Sequence, residues 1–275
     1  DGDKLRFDFT YSGKMTDDKI IEVENFVNDM INKQIIISTE VMPIDKAKQI
    51  GAMALFNEKY GDIVRVVKIG KSIELCGGTH AANTKDILRF AISSYESKGS
   101  NLYRIEAVTG LKIEDSLFDI IKPYNDEMIK LLMKAKEILD EAKEMGIKLD
   151  FDVEIDNSKP TSYKDIIFNR NELQYIQQEV RDLEKKYITK REQQVLANLD
   201  IYRERIRNYN GTFGLLMTVE NKDINLLKTV ADAMIEEMGT GFVFFANVKD
   251  DGSVNFLSRS NCHVNSGLIV KDAAV

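Results

Sequence analysis

Two long segments of heptad-spaced apolar residues occupy the middle of this 275-residue sequence and separate the residues before them from the residues after them. In the first segment the apolar residues recur at alternating gaps of four and three, with charged residues between them: Leu117, Ile121, Tyr124, Met128, Leu131, Ala135, Ile138, Ala142 and Met145. An α-helix that packs along a partner helix has this period. The pattern therefore predicts a long helix, and we expect Pro123 to kink it early or to reset its start.

A second long helix is predicted from about Tyr163 to Asn208, after a loop at 146–162. Its apolar seam shifts near Lys190 and comprises Ile166, Leu173, Ile176, Val180, Leu183, Tyr187, Val195, Leu199, Tyr202 and Ile206. Two such helices suggest an antiparallel hairpin or coiled-coil arm over residues 111–210. The second helix also carries basic residues that either form a solvated face or contact phosphate: Lys185, Lys186, Lys190, Arg191, Arg203, Arg205 and Arg207.

The residues before the arm, 1–110, predict an α+β domain. Alternating or β-branched runs indicate strands at 5–10, 34–41, 63–69, 73–75, 87–93 and 101–108. Thr16, followed by two aspartates, is typical of a helix start, and Pro43 suits the first turn of a short helix that ends at Ile50. The small apolar run at 51–56 lies between this helix and the third strand.

The residues after the arm, 211–275, predict a small α/β domain. A strand at 213–219, a helix at 224–238 that ends at Gly239, and a hairpin that turns at Asp250-Asp251-Gly252 follow one another. A last helix is predicted to begin near Ser266. This set of elements is small for an independent core, so we expect the domain to be truncated.

Composition excludes several classes of protein. The formal net charge of −7 argues against a chain coated in nucleic acid, although a local basic face is compatible with it. Two cysteines suggest no disulfide framework and fit a reducing cytosol. No apolar run approaches the roughly 20 residues of a membrane span. The first residues lack the basic and apolar regions of a signal peptide, and we expect the chain to be cut from a larger one.

The segment Cys76-Gly77-Gly78-Thr79-His80 contains one of two cysteines and one of two histidines. Thiolate and imidazole are preferred zinc ligands, and two glycines permit a sharp turn around a bound group. Two ligands make only half a metal site. The alternative is a glycine turn between a buried cysteine and a hydrogen-bonded histidine.

Several stretches, in this order, resemble the editing domain of alanyl-tRNA synthetases. They are Arg6-Phe7-Asp8-Phe9, the segment 51–62, Glu74-Leu75-Cys76-Gly77-Gly78-Thr79-His80 and the segment 104–110, and the arm and the last domain resemble the C-terminal region of those enzymes. The family's zinc site uses an HxxxH pair and a later CxxxH pair. Cys76 and His80 match the second pair, and the sequence contains no match to the first. The remaining pair, Cys262 and His263, consists of adjacent residues, which seldom both aim at one metal.

The resemblance implies that the domain hydrolyses tRNA(Ala) mischarged with serine or glycine. A pocket for alanine rejects an added hydroxyl by only about a hundredfold, so a second, hydrolytic site is the general remedy. Zinc held by Cys76 and His80 would activate a water molecule or orient the substrate. Thr79 would contact the substrate hydroxyl or a water, Gly77 and Gly78 would admit the terminal adenosine, and Arg104 would meet a phosphate.

The resemblance further implies that the arm and the last domain grip tRNA(Ala) and support a homodimer. ATP is expected only for the ligation domain, which the sequence lacks. Because two zinc ligands are missing, we expect zinc to be absent from this chain or weakly held. Two alternatives stay open: a free-standing editing protein of the same family, and a non-catalytic module in which the Cys/His turn is vestigial.

Overall fold

A computed structural model describes residues 4–54 and 60–274 of the chain. The chain separates into two compact units. The first unit comprises the residues up to Leu132 together with Val153–Gln178, and the second comprises Met133–Asp152 and the residues from Glu179 onward. The division into three domains at 110 and 210 stays a prediction. The predicted apolar run at 51–56 lies partly outside the described residues.

The first unit is α+β, as the sequence predicted. In chain order its elements are β1 (Leu5–Thr10), α1 (Asp17–Asn32), β2 (Ile37–Pro43), α2 (Ile44–Gln49), β3 (Ile63–Ile69), β4 (Ser72–Leu75), β5 (Phe90–Gly99), β6 (Leu102–Thr109), and the first parts of α3 (Ile113–Glu144) and α4 (Tyr163–Leu196). They form two antiparallel sheets with the orders β1-β6-β5 and β2-β3-β4. A 3-10 turn at Thr84–Ile87 replaces the start of the strand predicted at 87–93.

Local sequence explains the start of α1. The Thr16 hydroxyl accepts a hydrogen bond from the Lys19 backbone N–H, and Asp17 and Asp18 occupy the first turn at the positive end of the helix dipole. Buried Ile20 of α1 then packs with Ile92, Ile105 and Leu117 in the core that joins α1, the first sheet and α3. Helix α1 is thereby fixed against the β1-β6-β5 sheet.

The two long helices run parallel, so the predicted antiparallel direction is wrong. Within the second unit, the contacts of α3 and α4 advance together along both chains. Lys134 Nζ lies 2.8 Å from Glu184 Oε2, Tyr187 Oη donates to Glu141 Oε2 at 3.0 Å, and Gln194 Nε2 donates to the Met145 carbonyl at 2.9 Å. Within the first unit, Leu117 and Ile121 share a core with Tyr163 and Ile166.

An extended connection makes the parallel direction possible. The 32 residues of α3 span about 48 Å at about 1.5 Å per residue. An extended chain covers about 3.3 Å per residue, so the residues from 145 to 162 can return along the whole helix. Lys159 Nζ accordingly lies 3.5 Å from Glu114 Oε2, at the beginning of α3. The heptad pattern itself is confirmed, because its members in both helices are buried or half-buried.

The bounds of both helices differ from the prediction. Helix α3 begins at Ile113 and continues through Pro123, so the proline does not reset its start, and a kink at Pro123 stays a prediction. Buried Leu117 and Ile121 stabilise the turns around the proline. Helix α4 ends at Leu196 and does not reach Asn208. Leu199 and Tyr202 pack in the core of the second unit, on or beside the short helix α5 (Asp200–Arg203), and the chain then forms strand β7 (Ile206–Tyr209).

The second unit contains the small α/β layer that the sequence predicted. After β7 come β8 (Thr212–Glu220), α6 (Ile224–Met238), β9 (Gly241–Val248), β10 (Val254–Ser260) and α7 (Ser266–Ala273). The sheet order is β10-β9-β8-β7, with β8 and β9 parallel and α6 as their crossover. Among the helices of the described residues, none has the length and apolarity that a membrane crossing requires.

Candidate functional site

The candidate site lies where β4 ends. Val64 and Val66 of β3 and Leu75 of β4 pack in a small core with Ala47 of α2. Because side chains alternate along a strand, Glu74 and Cys76 lie on the opposite face of the sheet. Leu75 is paired with Val66, and the Cys76 backbone N–H donates to the Arg65 carbonyl at 3.2 Å.

Cys76 and His80 line the same small cavity. Its other lining residues are Val67, Ile69, Ser72 and Glu74, and its volume is about 20 Å³. A cavity needs about 10–15 Å³ to hold one water molecule, so this one accommodates a water or an ion and is too small for an amino acid. The structure therefore brings together the two residues that the sequence predicted to be ligands.

Both ends of the Cys76–His80 loop are anchored. At its start, the Cys76 N–H donates to the Arg65 carbonyl at 3.2 Å, and farther along the loop Arg65 Nη1 donates to the Gly78 carbonyl. Beyond its end, the Ala82 carbonyl accepts from the Ile37 N–H at 2.9 Å. Asn83 then caps the 3-10 turn at Thr84–Ile87, and Thr84 Oγ1 donates to the Met30 carbonyl at 2.8 Å. The loop is thus held between the β2-β3-β4 sheet and the end of α1.

The two glycines are not required by backbone angles, which corrects the sequence expectation of a special turn. Neither Gly77 nor Gly78 has a positive φ. A Cβ atom on Gly77 would meet nothing within 4 Å, and one on Gly78 would lie 3.6 Å from Cys76 Sγ, an ordinary contact. Both glycines are exposed. The space beside them, rather than their conformation, is what a larger residue would change.

The chemistry of Cys76 and His80 fits half of a zinc site. Cys76 is half-buried, whereas Thr79 and His80 are exposed. Within residues 4–54 and 60–274, no group of three or more Cys, His, Asp or Glu side chains is placed to hold a metal. Cys262 belongs to the second unit, where its Sγ lies 3.3 Å from Ser260 Oγ, and His263 is exposed beside it.

Arg104 is not among the residues that line the cavity. It lies on β6 opposite Asp8 of β1, and its Nε and Nη2 donate to the two carboxylate oxygens at 2.7 Å each. These hydrogen bonds lower the pKa of Asp8. The same pairing places Arg6 opposite Glu106, so the two outer motifs of the resemblance are neighbouring strands of one sheet. A phosphate contact by Arg104 stays a prediction.

Several of the basic residues around the end of α4 have partners within the second unit. Arg191 Nη1 lies 3.1 Å from Asp223 Oδ2, Lys190 Nζ donates to the Lys148 carbonyl at 2.6 Å, and Arg203 pairs with Glu237 at 2.7 Å. These are the local contacts of a solvated face. The alternative of a phosphate-binding stripe is not tested by them.

Sequence reasoning missed three residues around the loop. Ser72 Oγ donates to Glu74 Oε1 at 2.7 Å inside the cavity lining, and Arg65 contacts the loop from β3. The alternation of β3 and β4 could have placed Ser72 and Glu74 on the cysteine's face. Arg65 is a cross-strand neighbour, and a local pattern contains no signal for it.

Comparison with known proteins matches the segment that contains this loop to a described domain. Residues 64–106, which include β3, β4 and the loop, match the model of the threonyl and alanyl tRNA synthetase second additional domain. The chain is 34% identical over 264 residues to the alanine–tRNA ligase of Acholeplasma laidlawii, covering 94% of this chain and 29% of that protein. With the alanine–tRNA ligase of Bacillus pumilus it shares 33% identity over 277 residues, or 98% of this chain and 28% of the relative.

A shorter part of the chain is more similar still. Over 109 residues, 39% of this chain and 12% of the relative, the identity to the alanine–tRNA ligase of Listeria monocytogenes is 56%. The chain therefore corresponds to a region of the alanine–tRNA ligases that includes the second additional domain. It spans less than a third of the length of the first two relatives.

Proposed function

We propose that this region is the editing site of an alanine–tRNA ligase and hydrolyses Ser-tRNA(Ala) and Gly-tRNA(Ala). The observation that supports the proposal is the common cavity of Cys76 and His80, at a strand end inside the matched segment 64–106. In the reaction, water adds to the ester carbonyl carbon and the bond to the ribose oxygen breaks. The products are the free amino acid and the tRNA.

Each residue of the loop has a proposed role. Cys76 and His80 would supply two ligands to a zinc ion, and such an ion, when bound, would supply a positive charge for polarising an oxygen of the substrate or of water. Thr79 lies between Gly78 and His80 and is exposed, and its hydroxyl contacts the substrate hydroxyl or a water. Gly77 and Gly78 leave exposed space in which the terminal adenosine approaches the backbone.

The remaining parts of the chain are proposed to bind tRNA(Ala). The parallel helices and the second unit contribute this surface and support a homodimer. Near the end of α4, Arg191 pairs with Asp223 and Arg203 pairs with Glu237, both within the second unit.

Deacylation by the intact protein tests the proposal. We expect release of serine from Ser-tRNA(Ala), no release of alanine from Ala-tRNA(Ala), and loss of the activity in Cys76→Ala and His80→Ala. Cys262→Ala is the matched control, because Cys262 is the other half-buried free cysteine. If the intact protein binds tRNA(Ala) but leaves Ser-tRNA(Ala) uncleaved, the region is a non-catalytic tRNA-binding module.

A further inference from the structure

Arg65 contacts the Cys76–His80 loop from the neighbouring strand in two ways. Its carbonyl accepts from the Cys76 N–H at 3.2 Å, and its guanidinium donates to the Gly78 carbonyl. The backbone contact extends the β3–β4 ladder by one residue into the loop. The side-chain contact reaches two residues farther, past the end of the ladder.

The part of the loop that Arg65 reaches has few other contacts. Residues 77–81 are exposed. Among the described residues, the hydrogen bond from Arg65 to the Gly78 carbonyl is the one that involves residues 77–81. The following residue, Ala82, accepts a hydrogen bond from the Ile37 N–H. A segment with few buried contacts is expected to be mobile unless something ties it down. A planar guanidinium such as that of Arg65 loses little side-chain conformational entropy when it forms such a hydrogen bond.

Strand geometry places this contact beside the cavity. Residues 65, 67 and 69 lie on one face of β3, and Val67 and Ile69 of that face line the cavity with Cys76 and His80. The Arg65 side chain therefore leaves the sheet on the same side as the ligand pair. It is not itself among the lining residues.

We propose that Arg65 is a positioning residue of the deacylation site. It holds the Gly77–Gly78 segment so that Thr79 and His80 keep a fixed position relative to Cys76. This inference rests on the proposed function and deepens it. A displacement of about 1 Å at a reacting centre can lower a rate about a hundredfold, so the loss of one such contact is expected to be measurable.

Amide order parameters of this chain, measured by NMR relaxation, test the hold on the loop. In the wild type we expect Gly77, Gly78 and Thr79 to have values near the roughly 0.85 of rigid backbone, and in Arg65→Met to fall below about 0.6. Lys68→Met is the matched control, because Lys68 lies on the same strand, faces away from the cavity and pairs with Glu40 at 3.5 Å. Unchanged order in Arg65→Met would overturn the inference.

Kinetics of the intact protein test the role in catalysis. Arg65→Met should lower kcat for Ser-tRNA(Ala) by about 10- to 100-fold with little change in KM. Arg65→Lys keeps the charge and one hydrogen-bond donor, so it should recover part of the loop's order parameters and part of kcat. If Arg65→Met does not fold, Arg65→Lys is measured in its place. If Arg65 instead bound a substrate phosphate, Arg65→Met would raise KM. It would also reduce the slope of log tRNA affinity against log salt concentration by about one, and this result would contradict a positioning role.

The two proposals fail in different ways. A wild-type protein that does not deacylate Ser-tRNA(Ala) refutes the proposed function, while the order parameters still decide whether Arg65 holds the loop. A wild-type protein that does deacylate, with an ordered loop and normal kcat in Arg65→Met, refutes only the inference about Arg65.

Discussion

The carboxylate of Glu24 accepts hydrogen bonds from the backbone N–H of Tyr163, at 3.1 and 3.0 Å to its two oxygens. Glu24 lies in α1, and Tyr163 is the first residue of α4, 139 positions later. The same carboxylate accepts from the Ile92 N–H of β5 at 2.6 Å. One side chain, only 3% exposed, thus joins α1, the first sheet and one of the backbone N–H groups that the first turn of α4 leaves without a helical partner.

Glu24→Gln is predicted to change the pH dependence of stability. Burial raises the pKa of Glu24 above its ordinary value of 4.5, against the lowering effect of the two backbone N–H groups. The folded state therefore holds the proton to higher pH than the unfolded state. The free energy of unfolding of the wild type, relative to Glu24→Gln, should decline as pH rises from about 4.5 through the folded-state pKa, and then level off.

Urea unfolding of both proteins between pH 4 and pH 8 measures this difference. Glu22→Gln controls for the loss of one negative charge from the same helix, because Glu22 is exposed. A wild-type protein that gained stability relative to Glu24→Gln as pH rose would contradict the assignment of burial as the dominant cause.

Zinc content distinguishes half a site from a complete one. This chain should bind zinc weakly or not at all, since the described residues supply two ligands and no group of three. Elemental analysis after purification without chelator is the measurement. Stoichiometric zinc that survives dialysis would show that further ligands exist, and Cys76→Ala and His80→Ala would then locate it.

Two glycine substitutions are predicted to have opposite effects. Gly77→Ala should leave the free energy of unfolding within about 0.5 kcal/mol of the wild type, because the added Cβ meets no atom. It should nevertheless lower deacylation if the terminal adenosine approaches the backbone there. Gly241→Ala should destabilise the second unit by about 1–3 kcal/mol, because its Cβ would lie 2.6 Å from the Phe213 carbonyl oxygen.

Thermal unfolding and deacylation, measured on the same samples, separate the two effects. A clearly lower Tm in Gly77→Ala than in the wild type would contradict the open space beside Gly77. A Gly241→Ala protein as stable as the wild type would require the parallel β8–β9 pair to shift without cost.

Asp223 both caps α6 and pairs with Arg191, and two variants separate these roles. Its Oδ1 accepts from the Asn225 N–H at 2.7 Å, and its Oδ2 lies 3.1 Å from Arg191 Nη1. Asp223→Asn keeps the cap and loses the ion pair, whereas Asp223→Ala loses both. We expect Asp223→Ala to cost about 0.5–2 kcal/mol and Asp223→Asn clearly less.

The pH dependence of the Asp223→Ala effect follows from the lowered pKa of Asp223. Partial burial opposes ionisation, but the Asn225 and Leu226 N–H groups and Arg191 together outweigh it. The stabilisation is present above the ordinary value of 3.8 and is lost as pH falls through the folded-state pKa. Equal stability of the wild type and Asp223→Ala at pH 7 would contradict this account.

Sequence alone determined the features that depend on neighbours along the chain. The cap at Thr16, the β-branched strand at 63–69 and the heptad members such as Leu117 follow from local composition and spacing, and the structure confirms each of them. The spacing of Cys76 and His80 suggested half of a metal site, with a glycine turn as the alternative. Both side chains line one cavity, and their role as ligands stays a proposal. The family followed from short motifs in a fixed order.

Tertiary structure decided the features that join distant parts of the chain. A heptad pattern predicts which face of a helix is buried, but it does not predict whether the partner helix runs parallel or antiparallel to it. The parallel direction of α3 and α4 therefore depended on the extended return from Gly146 to Ser162. The end of α4 at Leu196 was set by the packing of Leu199 and Tyr202 into the second core. Arg65 became a neighbour of Gly78 only because β3 and β4 pair, since pairing brings together residues that share no local pattern.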